Sequence, residues 1–397
     1  MLLSPWQTNP LLAALLVLLP VLLLVVLTLY LARRRWIKLL ISIPLVSLLL
    51  SQLLLFGLDA SGQAAKRQFA AVRQVLASPA QWHRTSGLSG EQAIIALSFL
   101  SEGLANHATR YPDARLQSQQ LIEQAVQALL SPEICPFVDA TDSTAWATRE
   151  ENLYLSHLNV ALGSYARIAA PSPVTERYAG LQRQLSHYLD HRMATAPSGN
   201  IPSYGGVYLD TLWTADNAVM LHSLWLYHHR AEPARAAAPG QNWLHRLEAA
   251  HALSNGLPYS ELRARRPPRG CATSWLTKYM AAFAPDTSAR WWQRYTADFK
   301  YNLGIACLFR EYPPGVDLPE DFDSGPIVLG AGAAATGLAL PGAKYQRDYY
   351  TYYQLLTTVF LAEQMGRAAQ LLGAGSWEAT GDTWLAKSIL FNAAARR

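Results

Sequence analysis

The chain opens with two unbroken apolar stretches and then changes character. Leu11 to Ala32 carries no charged residue, and neither does Leu39 to Leu58. Each is about the 20 residues that an α-helix needs to cross a hydrocarbon core of roughly 30 Å. The pattern predicts two membrane spans, 11–32 and 39–58, joined as a hairpin over residues 1–58. Pro20 and Pro44 lie inside the spans, which membrane helices tolerate when neighbouring groups satisfy the freed carbonyls. Beyond Leu58 the apolar positions recur at i, i+3 and i+4, bounded by Pro, Gly, Asn, Asp or Ser. This spacing predicts helices over 64–78, 91–107, 114–130, 147–168, 174–194, 211–230, 233–253, 272–283, 288–308, 326–340, 346–370 and 380–394. Alternation of the strand type is weak, and Gly206 to Leu209 is the best extended piece.

These helices fall into six consecutive pairs with short connections, and no Pro/Ser linker or charge block divides 59–397. The pattern therefore predicts one all-α domain after the hairpin. A solenoid should repeat a signature every 34 to 47 residues or so, and no such repeat is present. The polar and glycine-rich segments instead sit at the starts of alternate helices, as in an (α/α)6 barrel with its site at one rim. The fold expected is an (α/α)6 barrel preceded by a two-helix transmembrane hairpin.

Charge sharpens this picture. There are 33 Lys+Arg against 28 Asp+Glu, a net of +5. Arg33, Arg34, Arg35 and Lys38 fall in the first 58 residues with no acidic partner, so the remainder has 29 against 28, a net of +1. A nearly neutral domain without a basic stripe lacks the electrostatic footprint of a nucleic-acid binder. The basic cluster lies between the spans, so that loop should be cytoplasmic, and the domain should face the periplasm or the outside of an inner membrane. A cleavable signal peptide fits less well, because no basic region precedes the first span and arginines follow it. Three scattered cysteines, Cys135, Cys271 and Cys307, form no metal or disulfide pattern.

Four polar segments interrupt the apolar helices. In the first, Glu150 or Glu151, Tyr154 and His157 recur at helical spacing, so a carboxylate, a phenol and an imidazole could share one cavity. Histidine titrates near neutrality and suits general acid/base work, although a buried histidine bonded within its helix has the same spacing. The second segment holds Tyr204, Tyr208, Asp210, Trp213, Asp216 and Asn217. Asp210 or Thr214 reads as a helix cap. Asp216 sits further in, where a carboxylate among apolar residues is costly unless paired. The third, Asp323 and Ser324 before a glycine-rich run, either caps a helix or reaches a ligand. The fourth places Tyr259 before a loop with Arg263, Arg265, Arg266 and Arg269. No metal site, P-loop, dinucleotide fingerprint or nucleophile elbow is present in the sequence.

Taken in order, Glu150 to Tyr165 (EENLYLSHLNVALGSY), Asn217 to Tyr227 (NAVMLHSLWLY), Gly256 to Asp298 and Asp323 to Gly337 (DSGPIVLGAGAAATG) resemble the linalool dehydratase-isomerase family over roughly residues 90–345. The resemblance implies an (α/α)6 barrel, a periplasmic location and acid/base lyase or isomerase chemistry without a cofactor. It places His157 in the active site and matches Tyr259 to a pocket tyrosine. The family's two active-site cysteines have no counterpart here: Asp216 occupies one position and Val207 lies near the other. Residues 59–90 lack the family's upstream aromatic-acidic motif.

The function expected is thus a membrane-anchored acid/base enzyme. Its catalytic residues would be His157, Asp216, Asp323 and Glu150 or Glu151. Tyr154, Tyr204, Tyr208, Asp210, Trp213, Asn217, Tyr259 and Ser324 would contact a small hydroxylated substrate. Elimination or isomerisation is the reaction class that the resemblance implies. Two alternatives stay open: a carbohydrate-active hydrolase, lyase or epimerase on envelope glycans, and a non-catalytic scaffold of a membrane assembly. The partners expected are the substrate and the membrane, through residues 11–58, with oligomerisation left open.

Overall fold

The computed structural model describes the chain except residues 1–2, 32–33, 79–81, 89, 197, 206–210, 251–252, 255, 321–322, 372–382 and 397. Among the described residues the chain is helical, with strand confined to three two-stranded antiparallel ribbons. A short α1 (Pro5–Thr8) leads into α2 (Pro10–Leu31) and α3 (Arg35–Ala60), which are long and apolar enough to cross a membrane. Most large side chains on this pair stay exposed, Leu23 and Leu54 among them, a surface suited to lipid rather than water. Then follow α4 (Gln63–Val75), α5 (Trp82–Ser86), α6 (Gly90–Arg110), α7 (Arg115–Leu129), α8 (Ser143–Arg149) and α9 (Asn152–Ile168). The second half holds α10 (Pro173–Thr195), α11 (Thr214–Ala231), α12 (Ala238–Ala249), α13 (Gly270–Phe283), α14 (Pro285–Phe299), α15 (Ala333–Tyr345), α16 (Tyr349–Leu371) and α17 (Trp384–Ala395). The ribbons are β1 (Leu253–Ser254) with β2 (Leu257–Pro258), β3 (Lys300–Asn302) with β4 (Cys307–Phe309), and β5 (Ile327–Val328) with β6 (Ala331–Gly332).

Two kinds of helix alternate. On α6, α9 and α11 nearly every side chain is buried, which makes them interior helices. On α4, α10 and α14 only one stripe is buried. The interior helices pack in succession, α6 on α9, α9 on α11, α11 on α13, α13 on α15 and α15 on α17, while α17 also packs on α6. The striped helices lie against them: α7 on α6 and α9, α10 on α9 and α11, α14 on α13, α16 on α15, α4 on α17. Small residues set two of the close approaches. A Cβ at Gly103 would lie 2.9 Å from the Phe391 ring, and one at Gly163 would lie 2.8 Å from Leu226 Cβ.

The interior is not wholly apolar. Glu102 on α6 is buried and accepts from Lys278 of α13 and, at 3.1 Å, from Asn392 of α17. His222 Nε2 of α11 stands 3.2 Å from its other oxygen. Burial alone would raise the Glu102 pKa, but Lys278 and His222 outweigh it and hold the carboxyl well below its ordinary value. Burial lowers the Lys278 pKa to about 8, with Glu102 opposing.

The hairpin is docked on the domain. Asp59, at the end of α3, is buried and accepts from Lys344 at 3.0 Å and from the Tyr352 hydroxyl at 2.7 Å. Further along α3, the Phe56 ring stacks at a tilt on Tyr353, and Gln52 donates to Thr357 at 3.3 Å. The α2 and α3 helices both contact α16.

Four predicted helices are redrawn. The helix expected over 233–253 is a tight 3-10 turn at Pro233–Arg235 followed by α12, which ends at Ala249 before Leu253–Ser254 pairs as β1. The helix expected over 147–168 breaks at Glu150 (φ +54°), because the loop after α10 closes onto the new N-terminus and the Leu153 N–H donates to Ser203 O at 3.0 Å. The helix expected over 288–308 ends at Phe299, where Lys300–Asn302 turns back at Gly304 (φ +79°) to pair with Cys307–Phe309. The helix expected over 326–340 starts at Ala333, since Gly325 and Gly330 hold positive φ and residues 327–332 form a ribbon. The three cysteines are unbridged.

Lys278→Met should destabilise the chain by about 3–5 kcal/mol, because it leaves the Glu102 charge buried and unpaired. Lys278→Met with Glu102→Leu should recover most of that loss. Thermal unfolding of the detergent-solubilised chain distinguishes the two, and equal stability of wild type and Lys278→Met would contradict the account.

Candidate active site at the N-terminal ends of the interior helices

One loop organises the site. Residues 201–205 are clasped by Asn217 in the first turn of α11, whose side chain accepts from Ile201 N at 3.0 Å and donates to Ile201 O at 3.1 Å. Asn152 at the start of α9 donates to Pro202 O at 2.9 Å. A Cβ at Gly205 would lie 2.2 Å from Arg149 O, so only glycine fits this approach. The loop thereby points two hydroxyls at two helix starts. Ser203 donates to Asp216 of α11, and Tyr204 donates to Glu91 in the first turn of α6.

A third carboxylate, Asp323, joins this pair from the segment before β5. It is exposed, yet its charge raises the pKa of both Glu91 and Asp216. Burial pushes Asp216 up to about 7, the Ser203 hydrogen bond partly opposes this, and the charges of Glu91 and Asp323 add to it. Glu91 is raised for the same two reasons, burial first and Asp323 second. A helix N-terminus normally favours the anionic form, so a raised Asp216 in the first turn of α11 means that burial and like charge win there. Asp216 can therefore hold a proton near neutrality while a neighbour is ionised.

Beside the trio, at the start of α13, Glu311 accepts from Arg269 Nε at 2.9 Å and from Cys271 Sγ at 2.9 Å. Glu311 is fully buried, and burial raises its pKa against the pull of Cys271 and Arg269. The Cys271 thiol is pushed well up by burial, with Glu311 and then Asp323 contributing, so it stays protonated.

His157 lies elsewhere, in the interior. Its ring meets Trp275 edge-on at 5.6 Å, and neither nitrogen has a hydrogen-bond partner among the described residues. Burial, with Lys278 adding, lowers its pKa to about 3, so it is neutral. Of the group expected around it, none is brought to it by a hydrogen bond. Tyr154 donates to Leu129 O of α7 at 2.9 Å, and Glu150 pairs with Arg192 of α10. Glu151 sits at the break, its pKa raised by burial. Helical spacing placed these residues together; the break at Glu150 leaves both glutamates outside α9, while Tyr154, still on α9 with His157, bonds to α7 instead.

The second segment divides likewise. Tyr204, Asp216 and Asn217 belong to the loop-and-carboxylate cluster, whereas Tyr208 and Asp210 lie outside the described residues. Trp213 precedes α11, with the Arg266 guanidinium 5.8 Å from its ring. Tyr259 supplies its carbonyl to Thr214 Oγ1 at 2.9 Å, and its ring lies 6.0 Å from the Arg265 guanidinium. Ser324 is buried, and its hydroxyl donates to Gly325 O at 2.9 Å. Neither Asp323 nor Ser324 caps α15, which begins at Ala333. A groove of about 530 Å³ runs beside the loop, lined by Arg192, Asn200, Ile201, Pro202, Leu212 and Arg263 and by none of the three carboxylates.

The sequence pattern had not singled out Glu91, Ser203, Glu311 or the Glu102–Lys278 pair. One signal was available: Glu102 and Lys278 each interrupt an apolar run with a charge. Among the described residues no group of three or more His, Cys, Asp and Glu side chains is arranged to hold a metal ion. No protein-family model matches the chain, and no curated protein does.

The raised Asp216 gives a stability signature. The folded chain keeps a proton that the unfolded chain releases near pH 3.8, so this carboxyl's contribution is complete below that pH and is lost as pH rises through about 7. Asp216→Asn should flatten the fall in unfolding temperature across that window. An unchanged pH profile would place Asp216 at its ordinary pKa.

Proposed function

We propose that the chain is a membrane-anchored acid/base enzyme acting on a hydroxylated substrate at the Glu91–Asp216–Asp323 cluster. The observation that carries this reading is the pairing of like charge with burial: three carboxylates share one locality, and one of them holds its proton to about pH 7. Such a split in protonation is what acid/base catalysis requires. Asp216 acts as the acid that protonates a leaving hydroxyl, Glu91 or Asp323 as the base that removes a proton nearby, and Tyr204 and Ser203 orient the two. No cofactor enters this chemistry. Elimination or isomerisation, the class suggested by the resemblance to linalool dehydratase-isomerases, needs these groups and not a thiol at position 216. His157 would then support the interior wall of the site through Trp275 rather than carry protons.

The circuit of interior helices, each backed by a striped helix, supports an (α/α)6 barrel with this cluster at the rim where α6, α11 and α13 begin. Retention of the hairpin as an anchor is supported by the packing of α2 on α16 and of the Trp6 ring on Tyr350, contacts that cleavage of the first span would remove. The arginines between the spans favour a cytoplasmic loop, with the domain in the periplasm or outside.

A second reading has its own support. Two carboxylates driven to different protonation states are also the working pair of glycoside chemistry, so an envelope glycan is the alternative substrate. The solubilised chain, given allylic terpene alcohols in deuterated water, should release water or incorporate solvent deuterium; given aryl glycosides instead, release of the aglycone would favour the glycan reading. Asp216→Asn should lower whichever rate is found by about 10²–10⁴-fold. Full activity in that variant, or in Glu91→Gln with Asp323→Asn, would defeat the assignment of the site.

A further inference from the structure

The two turns beside the site carry apolar side chains where water would be expected. Leu303, in the β3–β4 turn, is 61% exposed; Val328, at the end of β5, is 65% exposed and Leu329, in the β5–β6 turn, 92%. Scattered exposed leucines are ordinary, but these are neighbours. Tyr301 of β3 donates its hydroxyl to Leu329 O at 3.2 Å and so ties one turn to the other. The β5–β6 turn is also an unlikely place for leucine. Leu329 and Gly330 both have positive φ, the geometry of a two-residue hairpin in which asparagine or glycine is favoured at the first position.

The patch is continuous with the spans. Gly304 O, next to Leu303, accepts from Gln354 at 2.6 Å and from the Tyr350 hydroxyl at 3.5 Å, and the Tyr350 ring meets Trp6 edge-on at 5.2 Å. Trp6 stands four residues before α2, and Asp59 ends α3 against Tyr352, so this level marks one boundary of the apolar hairpin. Trp and Tyr concentrate at such boundaries, their rings amphipathic like the headgroup region. Cations border the patch as well: Arg310 lies 4.0 Å from the Tyr301 ring and Lys300 4.9 Å from that of Tyr350. Apolar tips flanked by basic and aromatic residues suit an anionic bilayer surface.

We propose that Leu303, Val328 and Leu329 insert into the bilayer interface beside the hairpin, so that the domain is seated on the membrane rather than suspended from it. This rests on the reading of α2 and α3 as retained spans. The occupant is the lipid surface, because the patch adjoins the spans through Tyr350 and Trp6 and carries the cations that anionic headgroups attract.

The test uses the full chain in vesicles of phosphatidylcholine and phosphatidylglycerol, in a Cys135→Ser background. A bimane label is attached at Leu303→Cys, Leu329→Cys or, as control, Leu116→Cys, an exposed position on α7, which packs on α6 and α9 away from the hairpin. A lipid bearing a nitroxide near its headgroup should quench the labels at 303 and 329 at least about threefold more than the label at 116, as interfacial insertion requires. Iodide in the water should show the reverse order. An alkaline wash separates the two ideas. Release of the chain overturns the anchor reading and this surface with it. Retention with labels at 303 and 329 that behave like the one at 116, or that are shielded from both quenchers by another protein chain, overturns the surface alone.

Discussion

A carboxylate buried where four interior helices meet cannot stay ionised without a partner, and this constraint organises the core. Glu102 satisfies it with Lys278 across the interior, Asn392 from the last helix and His222 from a third direction. A purely apolar interior would tolerate rotation or sliding of these helices at little cost. A hydrogen-bonded ion pair does not, because any shift exposes a charge to a low-dielectric surrounding. The pair thus fixes how far α6 and α13 lie along each other, and through that the relative height of their N-termini. His157 nearby is kept neutral by its burial first, with the Lys278 charge adding to it and Glu102 opposing.

That height matters because the candidate site is built from helix starts and not from one element. Glu91 opens α6, Asp216 opens α11, and Arg269 and Cys271 open α13. Their joint is the 201–205 loop, whose backbone is spent on Asn152, Leu153 and Asn217 and whose hydroxyls are left for the carboxylates. Asn217 shows the division of labour well. Next in sequence to an acidic residue of the cluster, it bonds through its side chain to Ile201 twice, to Trp213 O once and to none of the carboxylates, so its part is to place Ser203 and Tyr204.

The helices and the hairpin were legible because their cue is local: 3.6-residue periodicity and uninterrupted apolar length need no knowledge of partners. The cues failed where the chain reverses. Residues 300–309 keep helix-like apolar spacing, yet Gly304 and the Lys300–Phe309 pairing impose a ribbon. Asp216 and Asp323 could be picked out as carboxylates in apolar or glycine-rich surroundings, whereas Glu91 could not, because a glutamate in a first helical turn is what the helix dipole favours anyway. Its significance comes from Tyr204 and Asp323, which lie more than one hundred residues away in sequence. Glu150 and Glu151 illustrate the converse error. Spacing put them one turn before Tyr154 on the face of His157, and a left-handed backbone at Glu150 goes with a carboxylate paired to Arg192.

The contrast between the two acidic clusters bears on whether the chain is catalytic or only structural. In the interior every charge is compensated, and Glu102 is held well below its ordinary pKa. At the helix starts like charges are gathered, and Asp216 is driven up to about 7. A scaffold gains nothing from that arrangement, since it loses stability as the pH rises through this window. Replacing one carboxylate by an amide of the same shape would remove the repulsion and keep the hydrogen bond from Ser203. The same fold solves the burial of charge efficiently a few turns away, so inability to do so is not the reason. Groups held at a stability cost, with proton affinities pushed apart and hydroxyls aimed at them, are the pattern expected of a site selected for chemistry.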